Sequence, residues 1–185
     1  MKKLSLLAII AIAAFSNNVN AQTNTEDTET TNAHAKLIKV MSVANADTDG
    51  LDFGTIVLTA AGASTVTMAA VDATRVYGAN SAAAVNANQS ANTAKYDVTG
   101  TPNETYALTL PTTVSLTTAT LGTGLATMTI GNLKARFSGG SADAVVSKLS
   151  TTGTDSFAVG GTLNIDATQK PGDYTGTFNV TVDYN

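Results

Sequence analysis

The end of the chain alternates strictly between two kinds of side chain. Over residues 174–184 one face carries aromatic and aliphatic side chains and one glycine, and the other face carries Thr, Asn and Asp. The members of the apolar face are Tyr174, Gly176, Phe178, Val180, Val182 and Tyr184. A period of two over this length is typical of a half-buried strand in an antiparallel sheet. Residues 174–184 therefore predict a long amphipathic terminal strand.

Shorter runs of β-type residues recur upstream, and Gly or Pro separates most of them. They cover residues 51–58, 65–71, 95–98, 105–110, 114–116, 126–133 and 156–165. Short strands at regular spacing with turn residues between them are typical of a sandwich or barrel. The sequence thus predicts an all-β fold, a two-sheet β-sandwich. Its predicted core consists of Phe53, Ile56, Tyr106, Leu108, Leu110, Met128, Ile130, Phe157, Leu163, Phe178, Val180 and Val182.

The N-terminus has the order of a cleavable secretory signal. Lys2 and Lys3 precede an apolar run over residues 4–15, and Ala21 places a small residue before Gln22. Such a run is too short to span a bilayer, so we expect residues 1–21 to be removed during export to the cell surface or the medium. Residues 22–32 contain no apolar side chain and predict a mobile polar tail, which leaves residues 33–185 to form the sandwich.

Charge and cysteine content narrow the classes of function. The net charge of −4 becomes −6 when Lys2 and Lys3 leave with the signal, so the chain has no basic surface for nucleic acid or for an anionic membrane. We expect neither nucleic-acid binding nor membrane insertion. The chain has no Cys, so a domain of this size must be stable without disulfides.

Residues that could carry enzyme chemistry are few. His34 is the only His, and it lies at the junction of the tail with the first β-type run, where a catalytic or metal-binding role would rest on it alone. Gly160 and Gly161 lie within a β run with no helix after them, which favours a bulge or a close backbone approach over a phosphate site. The sequence predicts that the protein is not an enzyme and that it needs no cofactor.

One loop has two interpretations. Asn45, Asp47, Asp49 and Gly50 match the first half of a calcium-binding loop, and Asp52 offers a further carboxylate. The twelfth position of that loop is Ile56, where a calcium loop requires Glu. Asn, Asp and Gly are also the ordinary residues of turns. Both a calcium site and a plain turn therefore stay open at this point.

Several ordered motifs together resemble a known family. They are Leu51-x-Phe53-Gly54-x-Ile56, Val98-x-Gly100-x-Pro102 with Tyr106, Val159-Gly160-Gly161-x-Leu163, and the run from Pro171-Gly172 through Tyr174 to Tyr184. The chain resembles a secreted bacterial immunoglobulin-like family of largely unknown function. That family is similar to the major subunits of common-pilus (Mat/Ecp-type) and archaic chaperone–usher fimbriae.

The resemblance implies a function and a mechanism. Subunits of such fimbriae are immunoglobulin-like sandwiches that lack a strand, and the N-terminal segment of the next subunit fills the groove by β-augmentation. It implies a structural subunit of a surface fibre, with other copies of itself, a periplasmic chaperone and an outer-membrane usher as partners. Residues 33–43, with Ala33, Ala35 and Leu37 on one face, match the donor strand. Tyr174, Phe178, Val180, Val182 and Tyr184 match the strand at the edge of the groove. The alternative is a self-contained exported binding module or adhesin of the same fold.

Overall fold

The computed structural model describes residues 27–59, 62–78, 83–85 and 90–185, with backbone alone for residues 83–85. The chain divides into two units, Met1–Lys36 and Leu37–Asn185. The described part of the first unit, residues 27–36, is exposed and contains no strand. The proposed signal, residues 1–21, and the first part of the polar tail, residues 22–26, lie outside the described residues.

The second unit contains twelve strands among its described residues and no helix. They are β1 (Ser42–Asn45), β2 (Ile56–Leu58), β3 (Ser64–Met68), β4 (Arg75–Tyr77), β5 (Ala83–Val85), β6 (Ala94–Thr99), β7 (Thr105–Thr109), β8 (Thr113–Thr117), β9 (Thr127–Phe137), β10 (Val146–Lys148), β11 (Thr154–Ile165) and β12 (Thr181–Tyr184). The part of the chain that the structure describes offers no helix long and apolar enough to cross a membrane.

A large antiparallel sheet is organised around β11. Strand β9 pairs with one edge of β11, and β8 pairs with the far edge of β9. The other edge of β11 pairs first with β6 and then with β3. Beyond these, β1 pairs with β6 and β4 pairs with β3. Strand β1 therefore lies at an edge of the large sheet.

Gly160 and Gly161 lie in β11 at the point where its partner on one edge changes from β6 to β3. The register of β11 against β9 shifts between Gly160 and Thr162, which is a β-bulge. A Cβ on Gly160 would collide with the backbone of Met68 and Ala70. The structure thus shows both the bulge and the close backbone approach that the two glycines predict.

A small antiparallel sheet with the order β10–β7–β12 packs on the large one, and β2 and β5 form a separate pair. Tyr106 of the small sheet contacts Phe137 of the large sheet edge-on, with 5.8 Å between ring centroids. Phe157 lies 5.5 Å from Phe137 and stacks on Tyr96 at 5.1 Å. Aromatic contacts of this kind add to the free energy gained from burial, so these four rings form the centre of the first core cluster.

The prediction of an all-β sandwich is confirmed. Six of the predicted core side chains are buried: Phe53, Tyr106, Leu108, Ile130, Phe157 and Leu163. The other six are half-buried and pack against the core from its margin: Ile56, Leu110, Met128, Phe178, Val180 and Val182. A second cluster around Val66, Met68, Val114 and Ile165 completes the interior.

Candidate functional site

Strand β1 borders a gap in the sandwich. Its residues pair with β6 in the register Ser42↔Thr99 to Asn45↔Tyr96. Within the described residues β6 is its sole partner, so the second edge of β1 carries backbone groups that no described strand uses. An edge of this kind is where a further strand can add.

The C-terminal segment borders the same gap from the other side. Strand β12 pairs with β7 from Thr181↔Thr109 to Tyr184↔Tyr106, and Thr175 forms a bridge with Thr117. Residues 176–180, between these two attachments, belong to no ladder in the described part of the chain.

The terminal strand predicted for residues 174–184 is therefore only partly formed. Its two faces are as predicted, because Tyr174, Phe178, Val180, Val182 and Tyr184 are half-buried and the residues between them are exposed. The ladder is shorter than predicted, since it covers only the last four of these residues. The physical reason is that the segment changes partner, from Thr117 of β8 at Thr175 to β7 from Thr181 onward, and residues 176–180 lie between these two attachments.

The gap is a cavity of about 560 Å³, which we call the terminal groove. Residues 43–45 and 49–51 line one wall, and residues 176–180 line the other. Ala94, Tyr96, Val114 and Ile130, all buried core side chains, form its floor together with Leu116. A groove with an apolar floor, a strand edge on one wall and a segment outside any described ladder on the other can accept an extended peptide, through main-chain hydrogen bonds and side-chain pockets.

Asp47 organises the polar end of the terminal groove. Its carboxylate accepts hydrogen bonds from the backbone N–H of Gly50 at 3.4 Å and from Nδ2 of Asn92 at 3.1 Å. Nζ of Lys95 lies 3.6 Å from the same carboxylate. Burial raises the pKa of Tyr96 on the floor, and the negative charge of Asp47 raises it further. This wall is thus a turn held by a hydrogen-bonded carboxylate.

Of the calcium candidate residues, Asn45 ends β1, Asp47 and Asp49 lie in this turn, and Asp52 follows it. Asp49 is exposed, and Asp52 accepts a hydrogen bond from the backbone N–H of Gly54 at 2.7 Å. Among the described residues, no group of three or more His, Cys, Asp or Glu is arranged to hold a metal ion. The calcium site at Asn45, Asp47, Asp49 and Asp52 and the plain turn both stay predictions.

The residues before β1 include exposed apolar side chains. Leu37 and Val40 are 95% and 92% exposed, and Ile38 is 53% exposed. Ala33, His34 and Ala35 are also exposed, and no strand includes them. Ser42 and Val43, by contrast, belong to β1, so the predicted donor strand over residues 33–43 overlaps a strand of the domain itself. The segment that is free of the sheet is residues 33–40, which we call the N-terminal segment.

Three residues hold the end of this segment at the turn between β6 and β7. The N–H of Lys39 donates to Oγ1 of Thr101 at 2.6 Å, and the hydroxyl of Tyr184 donates to the carbonyl of Lys39 at 2.9 Å. The same hydroxyl accepts a hydrogen bond from the N–H of Thr101 at 2.7 Å. Sequence reasoning missed this arrangement, which we call the terminal latch, because it joins positions far apart in the chain.

A second cavity, of about 530 Å³, lies elsewhere on the domain. Ser64, Thr65, Asn164, Asp166 and Gln169 are among the residues that line it. Hydrogen bonds from the backbone and side chain of Thr168 hold the pKa of Asp166 below its usual value. The polar part of this lining consists of hydroxyls, amides and the carboxylate of Asp166.

A family model fits most of the chain. The model is described as a domain of unknown function, DUF4402, and it matches residues 41–184. The chain belongs to the DUF4402 family. The DUF4402 domain begins at the residue before β1 and ends at the last residue of β12, so it contains both walls of the terminal groove but not the N-terminal segment. No curated protein and no solved structure matches this DUF4402 chain.

Proposed function

We propose that this DUF4402 protein is a structural subunit of a bacterial surface fibre, and that its subunits polymerise by donor-strand exchange. The observation that carries the proposal is the terminal groove, which lies between β1, at an edge of the large sheet, and residues 176–180, which belong to no described ladder. A single added strand can pair with β1 on one side and with residues 176–180 on the other. It would complete an immunoglobulin-like sandwich.

The N-terminal segment of a second copy is the proposed occupant. Its exposed Leu37 shares a strand face with Ala33 and Ala35 and offers the bulkiest side chain of that face to a floor formed by Val114, Leu116 and Ile130. Burial of such a side chain stabilises a complex by roughly 1.5–3 kcal/mol when it is complete. Ile38 and Val40 lie on the opposite face of the same extended segment.

Charge also favours this occupant. The N-terminal segment carries His34, Lys36 and Lys39 and no acidic residue. Asp47 and Asp49 lie on the wall of the terminal groove, where Lys95 is the cation beside them. Complementary charges of this kind fix register and orientation more than they add affinity.

Head-to-tail filling of the groove generates a fibre. Each copy then gives one segment and receives one, so the contact is heterologous and does not close on itself. An unfilled edge strand would aggregate before assembly, which is the physical reason for a periplasmic chaperone and an outer-membrane usher as further partners. Export through the signal proposed for residues 1–21 would bring the chain to that compartment.

A self-contained exported binding module is the second candidate. The observation that favours it is the extent of the family match, because residues 41–184 include all twelve strands without the N-terminal segment. In that case the terminal groove would bind a ligand or a partner other than the chain itself.

Denaturing gels of unboiled samples separate the two candidates. We expect the chain from Gln22 to give a ladder that collapses to one band on boiling, because a filled groove is kinetically stable. Leu37→Asp should abolish the ladder, whereas the matched control Thr31→Asp, in the polar tail, should leave it unchanged. A chain that begins at Met41 should give no ladder. Fusion of residues 30–40 behind Asn185 through a flexible linker should turn it into a stable monomer. A single band for the chain from Gln22 in every unboiled sample would favour the binding module.

A further inference from the structure

The terminal latch bears on whether the N-terminal segment fills its own groove or the groove of a second copy. A chain that carries both a groove and a segment to fill it can close on itself instead of joining a second copy. Self-filling has the advantage of a high effective concentration. Some feature must therefore direct the N-terminal segment away from its own groove, and this question rests on the proposed function.

The position of the latch relative to the groove is the first observation. Strand β1 leads away from the β6–β7 turn, since Ser42 pairs with Thr99 and Asn45 pairs with Tyr96. The C-terminal segment approaches the same turn, since Tyr184 contacts Thr101 there. The terminal groove lies along β1 and residues 176–180, and the latch joins Lys39, shortly before β1, to Tyr184, the last residue of β12.

The second observation is that both backbone polar groups of Lys39 are engaged. Its N–H donates to Oγ1 of Thr101, and its carbonyl accepts the hydroxyl of Tyr184. To enter its own groove, the N-terminal segment would have to turn back beside β1, with residues 39–41 as the turn. A reversal there rotates both peptide groups of Lys39 and breaks both hydrogen bonds.

From these observations we propose that Tyr184 and Thr101 commit the N-terminal segment to a second copy of the chain by holding Lys39 in its outward direction. Tyr184 is the central residue because its hydroxyl uses both of its hydrogen-bonding functions, one toward Lys39 and one toward the N–H of Thr101. Both residues are positioning residues, since neither belongs to the lining of the terminal groove.

The test compares Tyr184→Phe with the wild type, both as the chain from Gln22. Phe keeps the ring and removes the hydroxyl. Thr101→Val is the second variant, because it removes the acceptor for the N–H of Lys39 through a different side chain. Tyr77→Phe is the matched control. Tyr77 lies in β4, outside the lining of the terminal groove, and its hydroxyl has no hydrogen-bond partner among the described residues.

Two readouts are needed on refolded protein. Light scattering after gel filtration gives the ratio of polymer to monomer, and amide hydrogen exchange reports whether residues 33–40 are protected. For Tyr184→Phe and Thr101→Val we expect the ratio to fall about two- to tenfold, as the loss of one net hydrogen bond predicts. The monomers that appear should have protected amides at residues 33–40. Tyr77→Phe should keep the ratio of the wild type.

The two readouts also separate the two proposals. If Tyr184→Phe and Thr101→Val give the wild-type ratio of polymer to monomer, with protected amides, the proposed role of the latch is wrong. The proposal of a fibre subunit would be unaffected. Monomers of these variants with unprotected amides would also overturn the latch, because self-filling would not have replaced exchange. Unprotected amides at residues 33–40 in wild-type protein at every concentration would overturn the proposed function itself.

Discussion

The hydroxyl of Tyr106 donates a hydrogen bond of 2.9 Å to Oδ2 of Asp155 and so joins the small sheet to the large one. Tyr106 lies in β7 and is fully buried, and Asp155 lies in β11. Ser147, in β10, donates to the same oxygen at 2.6 Å. One carboxylate thus connects three strands at the end of the first core cluster.

Removal of this hydroxyl should destabilise the domain. We expect Tyr106→Phe to lower the free energy of unfolding by about 1–3 kcal/mol, the range for a hydrogen bond to a charged group. Tyr77→Phe is the control, because the hydroxyl of Tyr77 is buried and has no hydrogen-bond partner in the described part of the chain, so that its removal should cost nothing. Urea unfolding of both variants measures the difference, and equal losses would show that the bond to Asp155 contributes no stability.

Tyr106 should also give the domain a dependence on alkaline pH. Burial raises the pKa of Tyr106, and the hydrogen bond to Asp155 and its negative charge raise it further. In the unfolded chain tyrosine titrates near pH 10, so above about pH 10 the unfolded state loses a proton that the folded state keeps. The unfolded state then binds fewer protons, and stability falls as the pH rises through this range.

The stabilising contribution of the neutral phenol is complete below about pH 10 and is lost as the pH rises toward the pKa of the folded state. Urea unfolding between about pH 9 and pH 11 should show this decline. Tyr106→Phe should make the slope of the free energy of unfolding against pH shallower, by the equivalent of about one bound proton. Identical slopes for the variant and the wild type would mean that Tyr106 ionises equally in both states.

Phe178 should matter for stability before any assembly occurs. It packs against both core clusters but stays half-buried on the wall of the terminal groove. We expect Phe178→Ala to cost about 1–3 kcal/mol, less than the roughly 3–5 kcal/mol of a fully buried Phe. The exposed neighbour in Thr177→Ala should change the free energy of unfolding by less than about 0.5 kcal/mol. A loss at Phe178 as small as that at Thr177 would place its ring outside the core.

Calcium should leave the melting temperature unchanged. Asp47 already engages Gly50, Asn92 and Lys95, so a cation would have to displace Lys95 from this carboxylate. A ligand that binds only the folded state raises its melting temperature by mass action. Thermal unfolding with added calcium and then with a chelator measures this effect. A rise with calcium that the chelator reverses would restore the calcium site at Asn45, Asp47, Asp49 and Asp52.

Local patterns predicted most of the fold. The alternation of residues 174–184 reflects the burial of one face of a sheet, and the turn residues mark the ends of the β runs. Both patterns are visible within a single strand or turn. The pairing of β11 with both β6 and β3 along one edge depends on contacts between distant residues, and only the two glycines gave a sign of it. Phe178 and Val180 were predicted as core residues but are half-buried. Alternation shows which face of a strand points inward, but not whether another strand covers that face.

The site was predictable only in part. Residues 33–43 were identified as an unusual alternating segment, but their division between the N-terminal segment and β1 depends on pairing with β6, more than fifty residues away. The latch between Lys39, Thr101 and Tyr184 left no local signal, since each residue is ordinary in its own surroundings. Hydrogen bonds across such separations become visible only in the folded structure.

The terminal groove should accept the N-terminal segment when that segment is supplied as a free peptide. A chain that begins at Met41 keeps β1 and the whole matched family domain but lacks the segment. Its melting temperature is measured with an excess of a peptide of residues 30–40, and with the same peptide carrying Leu37→Asp. We predict that the first peptide raises the melting temperature by mass action and that the second does not. Equal melting temperatures with both peptides and with none would show that the terminal groove does not accept the N-terminal segment.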